Sequence, residues 1–221
     1  MTTTIPDVGY ASRAEAHESQ RPQLLLKRGF DVVVTALVLV VLSPVFLAVA
    51  AVLLISEGRP VFFRQRRVGR YGEPFTMWKF RTMVVDAERH LDALLVEQGT
   101  ADSPLFKPKN DPRVTAVGRV LRRYSIDELP QLLNVLSGHM SLVGPRPQVD
   151  GEVRLYNSKA SRRLAVKPGM SGLWQVSGRS NLSWEDSIRL DLYYVENWSI
   201  TSDLVILLRT LRAVLGHEGA L

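Results

Sequence analysis

The stretch Val32–Ile55 reads VVVTALVLVVLSPVFLAVAAVLLI, 24 consecutive residues without a charge. A helix needs about 20 predominantly apolar residues to cross the hydrocarbon of a bilayer, so this run is read as a membrane segment. It is too long for the apolar core of a cleaved signal peptide, and no small-residue cleavage site accompanies it. Ser43-Pro44 stands near its centre. Proline offers no N–H and its ring crowds the preceding turn, so it either kinks a spanning helix or breaks it into two halves that return to one face. The flanking charge chooses between them. Lys27 and Arg28 precede the run, and Arg59, Arg64, Arg66, Arg67 and Arg70 follow it. Lys and Arg collect on the cytoplasmic side of membrane segments, and here both ends carry them. The pattern predicts a re-entrant segment over residues 24–56, broken at Ser43 and Pro44.

Outward from this segment, residues 1–23 are polar and aperiodic, as in a disordered tail, and residues 57–221 read as one cytoplasmic domain. Val61-Phe62-Phe63 and the run Phe75–Phe80 are β-prone, and Val68-Gly69-Arg70-Tyr71-Gly72 between them is a turn signal, so a small hairpin is expected. Thr82–Glu97 carries Val85, Leu91, Leu94 and Leu95 at helical spacings, and Gly99–Pro112 reads as a loop. Near the C-terminus, Leu204, Leu207, Leu208, Leu211, Val214 and Leu215 share one helical face opposite Arg209 and Arg212. Such a helix either lies in the membrane interface or packs on the domain. The fold class expected is α+β, mainly helical.

The 221 residues carry 28 Lys and Arg against 22 Asp and Glu, a formal net charge of +6 that favours anionic partners. The absence of Cys excludes disulfides, thiolate metal sites and cysteine nucleophiles. His17, His90, His139 and His217 have no metal-ligand spacing, which argues against a zinc enzyme. Trp78-Lys79-Phe80-Arg81 interleaves basic and aromatic residues, yet no recognition helix or RNP-like motif accompanies it, so nucleic acid is not an expected partner.

The chemistry concentrates in Arg122-Arg123-Tyr124-Ser125-Ile126-Asp127-Glu128-Leu129-Pro130-Gln131. Ser125 and Glu128 have the spacing of a capping box. Alternatively Asp127 is the N-cap, which places Pro130 in the first turn, where it is tolerated. In either register both carboxylates lie at a helix N-terminus, the end that favours negative charge.

Six blocks in order carry a resemblance: Lys27-Arg28-Gly29-Phe30-Asp31, Ser43-Pro44, Lys79-Phe80-Arg81-Thr82-Met83, Asp127-Glu128-Leu129-Pro130-Gln131, Val143-Gly144-Pro145-Arg146-Pro147 and Gly172-Leu173-Trp174-Gln175-Val176-Ser177-Gly178-Arg179. Over about Lys27 to Leu215 the chain resembles the bacterial sugar transferases, the monotopic polyprenyl-phosphate glycosyl-1-phosphate transferases. The resemblance implies transfer of a sugar-1-phosphate from a UDP-sugar to undecaprenyl phosphate, with release of UMP, at the cytoplasmic face of the bacterial inner membrane. This is the first membrane step of a surface polysaccharide. It further implies Mg²⁺, with Asp127 and Glu128 as its candidate ligands, Asp127 as the nucleophile that forms a phosphosugar-aspartyl intermediate, and Glu128 as the residue that positions the metal or assists the nucleophile. Membrane lipid and self-association complete the implied partners.

Cations must neutralise the phosphoryl oxygens that a carboxylate approaches, and Arg does so bidentately. Lys79, Arg81, Arg122, Arg146 and Arg179 are the substrate-binding candidates. Lys79 otherwise belongs to a solvated strand face, and Arg122 to an interfacial charge or a carboxylate pair. Pro145 and Pro147 restrict the backbone about Arg146 and would preorganise it. Gly172–Arg179 either lines a nucleotide or sugar pocket or turns over a Trp-packed core. Asp31 is expected to pair with Arg28 or another arginine at the membrane boundary. Larger family members carry an additional N-terminal bundle and a soluble domain, whose regulation is not expected here. The C-terminal block is closer to the hexose-type enzymes, favouring glucose or galactose over an N-acetylated amino sugar. The competing reading is a non-catalytic module whose arginines hold anionic lipid headgroups.

Overall fold

The computed structural model describes residues 21–87, 111–178 and 182–215. The tail at residues 1–20, most of the 99–112 loop and Arg179 lie outside them.

Helix α1, Arg21–Glu57, is the one helix among the described residues long and apolar enough to cross a membrane. It continues through Ser43 and Pro44 without a gap in helical assignment. Pro44 has no N–H for the Val40 carbonyl, and the Ser43 hydroxyl donates to that carbonyl instead, at 2.8 Å. One face of α1 leaves Leu37, Val40, Val41 and Leu47 exposed. The other packs Phe30, Val34, Val38 and Phe46 against the main core, and Leu53 is fully buried in a second cluster with Phe80 and Leu121.

Both ends of α1 are tied to the same domain. At the N-terminal end Lys27 bonds Asp203 at 2.5 Å, and Arg28 donates to the carbonyls of Val135 and Leu136 at 2.6 and 2.8 Å. Asp31 does not pair with Arg28; it accepts from the Ser141 hydroxyl at 2.7 Å. At the C-terminal end Arg81 donates to the carbonyls of Glu57 and Gly58 at 2.8 and 3.1 Å.

The expected hairpin forms. Strands β1 (Phe62–Val68) and β2 (Pro74–Phe80) pair antiparallel in the register Phe62↔Phe80 and Arg67↔Phe75. Alternation puts Phe63, Gln65, Arg67, Phe75, Met77 and Lys79 on one face. The expected helix at Thr82–Glu97 is not made in its described part, Thr82–Ala87. Here Met83 bridges Val114, and Thr82 and Val84 exchange main-chain bonds with Thr115 and Arg113. The β-branched residues extend the chain beyond β2 rather than coil it, and residues 88–97 lie outside the described set.

Helix α2 (Ala116–Arg123) begins at Thr115, whose side chain accepts from the Gly118 N–H. Gly118 sits so close to the Thr82 backbone that a Cβ would meet its carbonyl oxygen at 2.1 Å. Then come α3 (Gln131–Leu136), β3 (Ser141–Val143), α4 (Asp150–Val153), β4 (Gly169–Ser171), α5 (Leu173–Ser177), α6 (Trp184–Glu196) and α7 (Ile200–Leu215). The sequence did not announce the second, parallel sheet β3–β4. On α7, Ile206 is buried in the core, whereas Leu204, Leu208 and Leu211 are exposed. The main core gathers Phe75, Met77, Leu132, Val135, Met140 and Val143 beneath α1 and α7.

Candidate active site

Asp127 and Glu128 occupy the short 3-10 turn Ile126–Glu128, entered through Ser125 in the left-handed region at φ 54°. Neither expected cap forms. Ser125 makes no side-chain cap, and α3 starts only at Gln131, with Pro130 at the N-cap position and no side-chain bond there. The turn is anchored from below, since Ile126 and Leu129 pack on the Phe80–Leu121 cluster. Its carboxylates therefore do not serve to start a helix.

Glu128 turns towards β2 and meets Lys79, Nζ to Oε1 2.7 Å. This approach is fixed by Asn134 on α3, whose side chain behaves as an added strand against the open edge of β2. Its Oδ1 accepts from the Trp78 N–H at 3.0 Å and its Nδ2 donates to the Thr76 carbonyl at 2.7 Å. Asn134 was not anticipated from sequence, because a single polar residue within an apolar helix carries no sign of its partner.

Asp127 is 8% exposed. Burial raises its carboxyl above the ordinary value and the neighbouring Glu128 adds to this, while Lys79 and Arg122 pull the other way. Arg122 comes from the last turn of α2, and its Nε donates to the Thr82 hydroxyl at 2.9 Å.

Beyond the Lys79–Glu128 pair opens a cleft lined by both residues together with Arg67, Gln131, Arg146, Met170 and Gln175. Arg146, half-buried, places its guanidinium carbon 5.7 Å from the centre of the Trp174 ring. The Gly172–Gly178 block is a short helix on a buried tryptophan, with Gln175 facing the cleft. Arg67 lies beside Arg146; burial first, and then that like charge, bring its guanidinium down to about 10, so it stays a cation at neutral pH. Arg67 and Gln131 are further site residues. Strand alternation puts Arg67 on the Lys79 face, which was the available signal.

The structure thus brings Lys79, Arg122, Arg146, Asp127 and Glu128 together. It does not bring Arg81 with them: Arg81 is buried at the C-terminal end of α1, and Arg179 lies outside the described residues. Among the described residues no group of three or more His, Asp or Glu gathers in the manner of a self-sufficient metal cage. Two adjacent carboxylates amid cations are a donor set that takes a hard ion only with help from an anionic ligand such as a phosphate.

Residues 22–217 match the family model described as bacterial sugar transferase. The exopolysaccharide production protein ExoY of Sinorhizobium fredii is 45% identical over 197 residues, covering 88% of this chain and 87% of that protein. The undecaprenyl-phosphate galactose phosphotransferase of Salmonella typhimurium is 42% identical over 211 residues, 94% of this chain but 44% of its own length. An N-acetylgalactosaminephosphotransferase of Aeromonas hydrophila acting on undecaprenyl phosphate is 36% identical over 221 residues, 92% of this chain and 48% of that protein. The chain thus spans most of the first relative and less than half of the other two. With the family model matched over nearly its whole length, the chain belongs to the bacterial sugar transferase family.

Proposed function

We propose that the protein transfers a hexose-1-phosphate from a UDP-sugar to undecaprenyl phosphate at the cytoplasmic face of the inner membrane, releasing UMP, as a first step of exopolysaccharide synthesis. The observation that carries this reading is the buried carboxylate Asp127 with Lys79 and Arg122 about it, and beside it Glu128 lining one cleft with Lys79, Arg67 and Arg146. A lipid-headgroup module needs the arginines and has no use for a buried Asp127 with Glu128 beside it.

In the reaction, an Asp127 carboxylate oxygen bonds to the β-phosphorus of the donor while the bond from that phosphorus to the oxygen of the α-phosphate breaks, and UMP departs. The lipid phosphate oxygen then bonds to the same phosphorus and the bond to Asp127 breaks, leaving the lipid diphosphate sugar and a free carboxylate. Arg146 and Lys79 neutralise the phosphoryl oxygens as the anionic nucleophile approaches, with Arg67 beside Arg146. Glu128, held by Lys79, keeps that ammonium at the mouth of the cleft. Asp127 and Glu128 would hold Mg²⁺ together with the donor's phosphates, and the ion would supply further charge neutralisation there.

The re-entrant placement of α1 is part of this reading. Lys27, Arg28 and Asp31 at one end and Glu57 at the other are all bonded to one polar domain, which supports a helix that keeps both ends on the domain's side. The exposed Leu37, Val40, Val41 and Leu47 then face lipid. The exposed stripe Leu204, Leu208 and Leu211 on α7, flanked by Arg212, suits an interfacial position. The names of the relatives support galactose first. An N-acetylated amino sugar is the second reading, favoured by the Aeromonas protein.

The test is UMP release by the protein in nanodiscs containing undecaprenyl phosphate and Mg²⁺, across a panel of UDP-sugars. Turnover with one donor, lost on chelation and in Asp127→Asn, is the expected result. Turnover that survives Asp127→Asn overturns the mechanism.

A further inference from the structure

After β3 the chain runs through Pro145, Arg146, Pro147 and Gln148, and each of these four carbonyls is held by a donor from elsewhere. The Gly169 N–H of β4 donates to the Pro145 carbonyl at 2.8 Å and the Val68 N–H of β1 to that of Gln148 at 2.9 Å. Arg163 Nη2 donates to the Arg146 carbonyl and Arg67 Nη1 to the Pro147 carbonyl, each at 3.1 Å. Two of the four residues are prolines without an N–H, so the loop is held chiefly through its carbonyls.

The two guanidinium donors are unexpected in physical terms. A main-chain amide or a neutral side chain would hold a carbonyl without burying a charge, whereas a buried guanidinium needs its own counter-charge. Arg163, in the 3-10 turn Ala160–Ala165, is buried against Asp191 of α6 and also reaches the Tyr156 hydroxyl. That hydroxyl in turn donates to Gln148 in the same loop. Arg67 is held by the Gln65 side chain through two nitrogens, at 3.0 and 2.6 Å, with Glu152 at 3.9 Å. Each guanidinium serves several acceptors at fixed angles, which an ammonium cannot do.

The loop carries Arg146 into the cleft beside Arg67, a second cation that repels it. Without a firm grip on the main chain, Arg146 would swing away from its neighbour. We infer that Arg163 and Arg67 are positioning residues for Arg146: acting through the carbonyls of Arg146 and Pro147, they hold its guanidinium over Trp174, where it meets the diphosphate of an anionic donor. The donor's identity rests on the transferase reading above; the positioning does not.

The experiment uses the full chain in nanodiscs, with Arg146→Ala, Arg163→Lys, Arg67→Lys and the double variant Arg146→Ala/Arg163→Lys. Lysine keeps the charge and lacks the fork. A misplaced binding group costs on the order of 10- to 100-fold, so kcat/KM for the donor should fall by about that factor in either lysine variant, with KM for the lipid phosphate unchanged. The double variant should fall no further than Arg146→Ala alone, as expected of groups acting through one another. Losses that multiply in the double variant overturn the inference, as does an Arg146→Ala enzyme with full activity.

A substrate-free readout separates this from the reaction. The emission of Trp174, isolated by difference from Trp174→Phe, should shift in both lysine variants in the same direction as in Arg146→Ala. That shift in a chain without transferase activity upholds the positioning and removes the transferase reading. Unshifted emission in correctly folded variants removes the positioning. Arg67→Lys carries the test by itself should Arg163→Lys fail to fold, since β1 has the main-chain pairing of β2 to support it.

Discussion

Lys79 Nζ stands 2.7 Å from Glu128 Oε1, and this contact joins the hairpin to the turn that carries Asp127. Lys79 also lowers the cost of a charged Asp127. One ammonium thus serves two carboxylates, and the same group faces the cleft that would receive a diphosphate. Its role in stability should be small, because a partly exposed ion pair contributes only about 0–1 kcal/mol.

Lys79→Met should therefore separate activity from stability. Sugar-phosphate transfer should drop by about 10²- to 10³-fold, the scale of losing one group that stabilises developing charge. The melting temperature should move by only a few degrees, about what 1 kcal/mol produces. A variant that unfolds, or one that keeps its activity, would show that the pair is structural.

The raised carboxyl of Asp127 sets the sign of the pH dependence. In the mechanism proposed above the ionised form is the nucleophile, so kcat/KM should climb as pH rises through the Asp127 ionisation, on a limb displaced upward from that of an ordinary aspartate. Stability runs the opposite way. A carboxyl raised by folding contributes stability that is present below its unfolded value and lost as pH rises through its folded one. Asp127→Asn should then lose activity by about 10⁴-fold or more while melting above the parent at neutral pH. An acid limb that persists in the residual activity of Asp127→Asn would assign it to another group.

Asn134 offers a test of how the site is held. Asn134→Leu leaves the Trp78 N–H and the Thr76 carbonyl without their side-chain partner, at a cost of about 1–3 kcal/mol for each buried group left unsatisfied. Chemical denaturation should show that loss. Since the Lys79–Glu128 approach depends on α3 sitting against β2, transfer should also fall. Full stability in Asn134→Leu would mean that water replaces the side chain at no cost.

The local features of this molecule were legible and the long-range ones were not. Alternating aromatics around Val68–Gly72 specify a hairpin by themselves, and the acidic pair at Asp127 and Glu128 announces itself beside Arg122. Thr82–Ala87 was misread because helical spacing among a few apolar residues also suits an extended segment whose partner, Arg113 to Thr115, comes some thirty residues later. Arg81 resembled a phosphate ligand because it follows Lys79, which belongs to the site. It stands one residue past the end of β2, where the carbonyls of Glu57 and Gly58 at the end of α1 absorb it. Strands β3 and β4 have three residues each, too few for periodicity, and pair only because Gly144 and Gly169 allow close approach. A Cβ on Gly169 would meet the Gly144 nitrogen at 2.0 Å.

The placement of α1 can be read directly, since the sequence has no Cys to remove. Single cysteines at Gln23 and Glu73 bracket the apolar run, and an impermeant maleimide added to sealed, oriented vesicles reports which face each one occupies. Both should label from the side that holds the domain, because Lys27, Arg28, Asp31 and Glu57 are bonded to it. Labelling from opposite sides would establish a span. Pro44→Ala restores the N–H that the Val40 carbonyl lacks, and Ser43→Ala in the same chain removes the hydroxyl now serving that carbonyl. The double substitution yields an ordinary, straighter helix about 56 Å long at 1.5 Å per residue. In that variant the Gln23 cysteine should begin to label from the far side. Unchanged labelling would place the cause of the topology in the bonds at the two ends of α1 rather than in Ser43 and Pro44.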